Sequence, residues 1–300
     1  MKTEYHDPVL LKESVDGLAI KTNGTYVDVT FGGGGHSREI LSRLGPDGKL
    51  FGFDQDTDAA NNIPEDDRFQ LIQANFRHLN RFLKFYNITE VDGILGDFGV
   101  SSHQFDSGAR GFSTRFDGAL DMRMDQSGTQ SAHEVVNQYS MEDLRGVLQQ
   151  YGELRNGHAI ANTIVEARTN GPIATTTDLK KVLGKFLPKH KEQKILAQIY
   201  QAIRIEVNQE LQVIKELLLQ AHDILAPNGR LSLISYHSLE DRLVKRFIRT
   251  GKFEGEVEKD FYGNAQVPFK KVGGLIVPSQ EEINRNNRAR SAKLRIAKKV

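Results

Sequence analysis

Cysteine is absent from the 300 residues. Its absence excludes disulfides, every mechanism that uses a thiolate nucleophile, and zinc sites with Cys ligands, including the usual nucleobase deaminase centre. Covalent Cys attack on a pyrimidine, the route to carbon-5 methylation, is excluded with them. Charge of one sign is also scarce: 40 basic residues against 39 acidic ones leave a net charge of +1. The chain as a whole therefore lacks the electrostatic footprint of a nucleic-acid binder, and such a partner would need a local patch. The sequence contains no run of apolar residues long enough to span a bilayer, no signal-peptide pattern, no internal repeat and no low-complexity segment. A cytoplasmic globular protein with no membrane partner is expected. Its apolar share of 38% and charged share of 26% are ordinary for that class, and the length suffices for one or two domains.

The stretch Tyr26–His36, YVDVTFGGGGH, sets a β-branched run before consecutive glycines. Thr25–Phe31 reads as a buried strand. Ser37–Leu44 places Ile40, Leu41 and Leu44 on one helical face, Gly45-Pro46-Asp47-Gly48 stops that helix, and Leu50–Asp54 is the next strand. This βαβ unit predicts a parallel sheet. Phe69–Ala74 and Val91–Asp97 read as further strands, with a helix around Phe76–Tyr86 between them. From Ser107 to Asn208 only helices are legible: Ala132–Tyr139, Met141–Tyr151, Gly157–Thr169, Thr177–Phe186 and Glu192–Arg204. A long helix over Glu206–Leu225 is ended by Pro227-Asn228-Gly229, and Arg230–Ser235 resumes the strand pattern. The expectation is a doubly wound, mostly parallel α/β domain from residues 1–106 and 207–300, with an all-helical domain inserted at 107–206. The tail Arg285–Lys299 carries Arg285, Arg288, Arg290, Lys293, Arg295, Lys298 and Lys299 and no acid.

Glycines after the first strand of such a sheet let a ligand approach the backbone and tolerate positive φ, and this is where the architecture binds nucleotide-like ligands. A P-loop does not fit, because no Gly-Lys-Ser/Thr follows. A dinucleotide fingerprint is incomplete: Gly32 and Gly34 match, but Ser37 stands at the third glycine. The loop of S-adenosylmethionine (SAM) methyltransferases, an acid followed by spaced glycines, fits Asp28, Gly32 and Gly34, with Thr30 where a further glycine is common. A tight structural turn is the remaining reading. Asp54 ends the second strand about 20 residues on, where an acid accepts both ribose hydroxyl hydrogens, a requirement shared by NAD and SAM. Asp54–Glu65 imitates a calcium loop but has Ala59 where that turn needs Gly and a strand where a helix should precede. No metal site is expected, and Asp56 and Asp58 read as a solvated helix start. Phe76 either packs on an adenine ring or belongs to the core. Asp97 ends the fourth strand and so lies at the crevice, with Gln104 close behind in a loop.

Several blocks together resemble one family, the bacterial small-subunit ribosomal RNA cytosine-N4 methyltransferases (RsmH or MraW). They are HDPVLLKESVDGL (His6–Leu18), DVTFGGGGHS (Asp28–Ser37), DFGVSSHQFD (Asp97–Asp106), RGFSTRFDGALDMRMD (Arg110–Asp125), YQAIRIEVNQEL (Tyr200–Leu211), ISYHSLEDRLVKRF (Ile234–Phe247) and NRARSAKLRIA (Asn287–Ala297). Gly33, Gly96 and His103 depart from the family's usual residues. The resemblance implies a class I SAM-dependent methyltransferase fold, Rossmann-like, with a helical insertion. It also implies SAM contacts at Gly34, Gly35, His36, Asp54, Phe76, Asp97 and Gln104. The substrate it implies is a cytosine near the decoding centre, in small-subunit (16S) ribosomal RNA or the assembled small subunit.

Amine methylation by in-line displacement needs no covalent intermediate, in keeping with the missing cysteines, and needs an acceptor for an amine hydrogen. No Pro-Pro follows Asp97, so the usual acceptor loop of amino-methyltransferases is lacking. The candidates for that acceptor are Asp121 in LDMRMD and the Ser235–His237 segment at the end of the fifth strand, with Asp121 taken as catalytic and Ser235 and His237 as substrate contacts; against His237, Ser238 and Asp241 read as a helix cap with His237 merely preceding it. Arg110, Arg115 and Arg123, with the basic tail, are expected to hold phosphates of unstacked RNA. For the tail segment AKLRIA a last strand is expected as well. The alternatives are an NAD(P)-dependent oxidoreductase and a non-enzymatic SAM-binding ribosome assembly factor. Oligomeric state stays open, a homodimer included.

Overall fold

The computed structural model describes residues 8–101, 104, 105 and 108–300. The chain divides into two compact units, Met1–Gly99 with Leu211–Val300, and Val100–Glu210. The expected boundary between Asp106 and Ser107 lies outside the described residues, as does His103.

The first unit carries a seven-stranded sheet: β1 (Thr25–Asp28), β2 (Lys49–Asp54), β3 (Phe69–Gln73), β4 (Val91–Asp97), β5 (Leu225–Ser235), β6 (Phe269–Ile276) and β7 (Lys293–Lys299), in the order β3-β2-β1-β4-β5-β7-β6. The first five pair in parallel. β7 runs antiparallel to both of its neighbours, so the sheet is doubly wound and mostly parallel. Its central strands β1, β2 and β4 are buried nearly throughout because both of their faces are covered. Tyr26, Leu50 and Leu95 pack with Val15, Leu18, Ile40, Leu41 and Leu44, which come from α1 (Leu11–Gly17), its C-cap and α2 (Gly35–Arg43), with the residue after it. Their strand neighbours Val27, Phe51 and Ile94 turn the other way, into a core with Phe53, Leu79, Leu83, Leu218, Val244 and Phe247. That second layer is supplied by α3 (Leu79–Phe85) and by two later helices described below.

In the second unit the helices are α4 (Ala132–Gln138), α5 (Met141–Gln150), α6 (Gly157–Arg168), α7 (Thr176–Val182) and α8 (Glu192–Asn208). They enclose their own core of Val135, Leu144, Leu148, Ile160, Ile164, Leu179, Ile199 and Ile203. Ser131 and Thr175 open α4 and α7 with capping boxes closed by Glu134 and Asp178. Among the described residues of this unit, extended pairing is limited to the isolated bridge between Ala119 and Thr175.

Several boundaries differ from the sequence reading. The expected break between Arg204 and Glu206 falls instead at Gln209, which takes a left-handed φ of 51° between α8 and α9 (Glu210–Ile224). Arg204 closes over that break with a bidentate ion pair to Glu210, 2.7 and 3.0 Å. β5 starts at Leu225 rather than Arg230. Pro227–Gly229 forms an irregularity within the strand, marked by Asn228 at φ 65° and by the register shift opposite Val91 and Gly93, so it does not serve as a turn before β5. Helix α10 (Ser238–Thr250) is capped by His237 with Glu240, one residue ahead of the expected Ser238–Asp241 cap.

Candidate functional site

After β1 the chain winds outward through β2 and β3, then returns to place β4 on the other side of β1. This is the switch point of the sheet, where doubly wound folds open a crevice beyond the strand carboxyl ends. Asp28, Asp54 and Asp97 are the last residues of β1, β2 and β4. Asp28 is buried; its carboxylate accepts from the Thr30 amide at 3.1 Å and from the Ser37 hydroxyl at 2.7 Å, which ties β1 to the first turn of α2. The Thr30 hydroxyl in turn accepts from the Asp97 amide at 2.7 Å. Asp97 Oδ1 accepts from the Tyr236 hydroxyl at 2.8 Å. Asp54 accepts from the Gly32 amide through Oδ2 and from the Asp56 amide through Oδ1, both at 2.8 Å. The glycine loop is thus held between the acids of two strands.

Different needs explain the glycines. Gly34 takes φ 72°, and a Cβ there would stand 2.9 Å from the Phe31 ring; a Cβ on Gly35 would stand 2.1 Å from Pro8. These two are required by the protein's own packing. Gly32 takes φ 49° with nothing closer than 3.9 Å to a hypothetical Cβ, so the side on which a side chain would stand is open, while its N–H and C=O are held by Asp54 and Asn62.

His36 is buried, and its Nε2 lies 3.1 Å from the Val9 carbonyl, so that nitrogen carries the proton and donates. Phe76 opens the turn after β3, capped by Asn75, and its ring lies 6.1 Å from that of Phe98. Ser235 is buried at the end of β5, with no hydrogen-bond partner for its hydroxyl among the described residues. His237 Nδ1 accepts from the Glu240 amide at 3.4 Å, and its Nε2 lies 3.1 Å from Glu240 Oε1. Asp56 is buried and caps a 3₁₀ turn over Thr57–Asn62, so it is not a solvated helix start.

The second unit holds the other candidates. Gln104 is buried and accepts from the Ser101 amide at 3.1 Å. Asp121 is gripped by Arg123, whose Nε and Nη2 each donate to it at 2.8 Å while Nη1 donates to the Gly128 carbonyl at 2.6 Å. Arg110 donates to the Arg123 carbonyl at 2.7 Å and stands over the Phe112 ring. Asn208 joins the same loop to α8 through Met122 and Met124. Arg110 and Arg123 are therefore bound into the loop's own architecture.

Asp28, Thr30 and Tyr236 complete the crevice network. The sequence marked Asp28 and Thr30 only as the acid and a departure in a loop pattern. Tyr236 lies inside the Ser235–His237 segment, which the sequence offers as a source of an acceptor for the amine hydrogen and not as a partner of Asp97. Its signal was its position, one residue beyond a strand adjoining the switch point.

The sheet order, the switch-point crevice and its row of carboxylates define a Rossmann-like nucleoside-binding protein whose glycine loop is not a P-loop. Within that class the chain belongs to the MraW methylase family, which residues 3–300 match, and it is a SAM-dependent methyltransferase. It is 67% identical over 297 residues to the ribosomal RNA small subunit methyltransferase H of Christiangramia forsetii, covering 99% of this chain and 98% of that protein. The protein of the same name in Flavobacterium johnsoniae is 66% identical over 297 residues, with the same coverage. That of Bacteroides fragilis is 54% identical over 299 residues, covering 99% and 98%. An NAD(P)-linked oxidoreductase is not favoured by this membership, nor is a role without catalysis. Among the described residues no helix is long and apolar enough to cross a membrane.

Burial pushes Asp28, Asp54 and Asp97 up to about 6 from an ordinary value of 3.8, against the opposing effect of the hydrogen bonds they accept. A raised carboxyl holds its proton in the folded chain where the unfolded chain has lost it. The contribution of these acids to stability is therefore largest below about pH 4 and falls as pH rises toward 6. A cation bound beside them favours ionisation, so SAM affinity is expected to rise between pH 5 and 7.5, by about tenfold for each acid that must ionise. Calorimetry in buffers of different ionisation enthalpy reads the accompanying proton release; proton uptake on binding would contradict this account.

Proposed function

We propose that the chain transfers the methyl group of SAM to the exocyclic N4 of a cytidine in small-subunit ribosomal RNA, near the decoding centre, and that it works in the cytoplasm. The observation that carries this reading is the end-to-end similarity, up to 67% identity, to relatives named as small-subunit ribosomal RNA methyltransferases. Gly34, Gly35, His36, Asp54, Phe76, Asp97 and Gln104 are proposed to hold SAM. The unobstructed side of Gly32 and the spare lone pairs of Asp54 fit a ribose, and ionisation of the raised carboxyls would be favoured by a positive charge.

SAM supplies an electrophilic methyl on a sulfonium. The residues have to orient the base, exclude water and take up a proton. The amine nitrogen of cytosine is delocalised into its ring, so it becomes nucleophilic only when an acceptor draws on one of its hydrogens. Asp121 is proposed as that acceptor. Burial alone would raise its carboxyl, but hydrogen bonds and charge from Arg123 outweigh this and hold it below the usual range, and an ionised carboxylate only accepts. Holding the reactants in line supplies most of the remaining rate. Ser235 and His237 are proposed to border the base, and Arg110 and Arg123 to keep the loop that carries Asp121 in shape.

The test is nucleoside mass spectrometry of small-subunit RNA after reaction with the protein and SAM. N4-methylcytidine is the expected product. Methylation at carbon 5, or of another base, would overturn the assignment.

A further inference from the structure

The basic tail is not uniform once folded. Arg295 is bound to Asp241 at 2.7 Å, Lys293 lies 3.6 Å from the same carboxylate, and Lys299 donates to the Leu225 carbonyl at 2.6 Å. Lys298 stands apart. It pairs with Arg230 in the β5–β7 ladder and with Lys270 in the β6–β7 ladder. Directly opposed residues project from the same face of a sheet, so Arg230, Lys298 and Lys270 form a row across three strands, spanning about 10 Å at ordinary strand spacing. Lys270 is exposed and the other two are half-exposed. No acid forms an ion pair with any of the three among the described residues; Lys298 reaches only the Asn228 side-chain oxygen, at 3.3 Å.

Like charges set opposite one another destabilise a sheet. A lysine on an edge strand is a common guard against edge-to-edge pairing, and that accounts for Lys270, since β6 is the edge. It does not account for Arg230 and Lys298 on interior strands. A bound polyanion offsets the repulsion, and an extended row suits a string of phosphates better than a single one. Arg230 pairs with Gly93 early in β4, whereas the crevice lies at Asp97, paired with Ile234. The row therefore sits at the opposite end of the strands, about 13 Å along β5.

We propose that Arg230, Lys298 and Lys270 form a phosphate-binding row that anchors the RNA substrate at the end of the sheet remote from the reacting base. This rests on the RNA reading above. The row grips backbone and carries no sequence information, so an unrelated RNA of equal length feels it equally.

The experiment is filter binding of in vitro transcribed small-subunit ribosomal RNA over a salt series, with the triple variant R230Q/K270Q/K298Q and the charge-keeping R230K/K270R/K298R. The first is expected to flatten the plot of log affinity against log salt by about 2–3, at roughly 0.7–0.9 per phosphate lost, and the second to keep the slope. SAM affinity stays unchanged, and the melting temperature is unchanged or higher, because repulsion has been removed. A wild-type slope in the glutamine variant overturns the row, as does a fall in both melting temperature and SAM affinity, which would mark a structural role. Wild-type protein that neither binds nor methylates the RNA would instead overturn the substrate reading and the row with it.

Discussion

Replacing Asp54 with alanine is expected to lower SAM affinity by about 10² to 10⁴ while leaving the ligand-free fold intact. An ionised carboxylate offers about four acceptor positions. Gly32 and Asp56 use two of them through their amides, which leaves two for a pair of vicinal hydroxyls. Each hydrogen bond to a charged acceptor contributes about 1.5–3 kcal/mol, and the loss of two gives that range. The variant also frees the Gly32 amide, so the loop that faces the ligand loses its tie to β2. Ligand-free stability changes little, because deleting a carboxylate that burial has pushed up to about 6 removes an unfavourable charge at neutral pH while two amides lose their acceptor. Asp54→Asn keeps one acceptor oxygen but turns an amide N–H toward Gly32 or Asp56, and should lose at least tenfold. Calorimetric titration and the SAM-induced shift in melting temperature measure both. An alanine variant that binds SAM like the wild type would remove Asp54 from the pocket.

The sheet was legible because its central parallel strands are buried on both faces and show as short apolar runs between glycine and proline breaks. β6 was not: Phe269–Ile276 is largely exposed, with Gly273 and Gly274 inside it, so it has neither alternation nor an apolar run. It forms because β7 offers an open edge, which is a tertiary cause. The break at Gln209 carries no glycine or proline to announce it, and the His237 cap uses a residue outside the usual capping set. In the site, the acids at strand ends could be placed by counting from the strands. Partnerships could not be placed that way. The bond from Tyr236 to Asp97 joins residues 139 apart, and the bonds of Arg110 and Arg123 to the loop's own carbonyls and of Arg123 to Asp121 are partnerships that charge and spacing do not encode. The tail was legible as charge but not as geometry, since pairing with Asp241 and the register of β7 decide which cations remain without an acid.

Asp121→Ala should slow methyl transfer by about 10² to 10⁴, the usual range for a positioned proton acceptor, with little change in SAM affinity. The effect has to be separated from simple loss of the Arg123 anchor, because the same carboxylate accepts the Arg123 amide, Nε and Nη2. Arg123→Ala separates them. If Asp121 only anchors Arg123, removing either partner damages the loop equally, and both variants lose activity at every pH. If Asp121 takes the proton, the Arg123 variant leaves the acceptor present but without the hydrogen bonds and positive charge that hold its carboxyl low, so burial prevails and its pKa rises. The acid limb of the single-turnover rate then moves to higher pH, and activity recovers on the alkaline side, whereas Asp121→Ala recovers nowhere. Rapid-quench measurement of methyl transfer to RNA across pH, beside SAM titrations of each variant, reads both quantities. Coincident profiles for the two variants, or an Asp121 variant whose SAM affinity falls in step with its rate, would leave Asp121 as a structural residue and require the acceptor to be sought elsewhere.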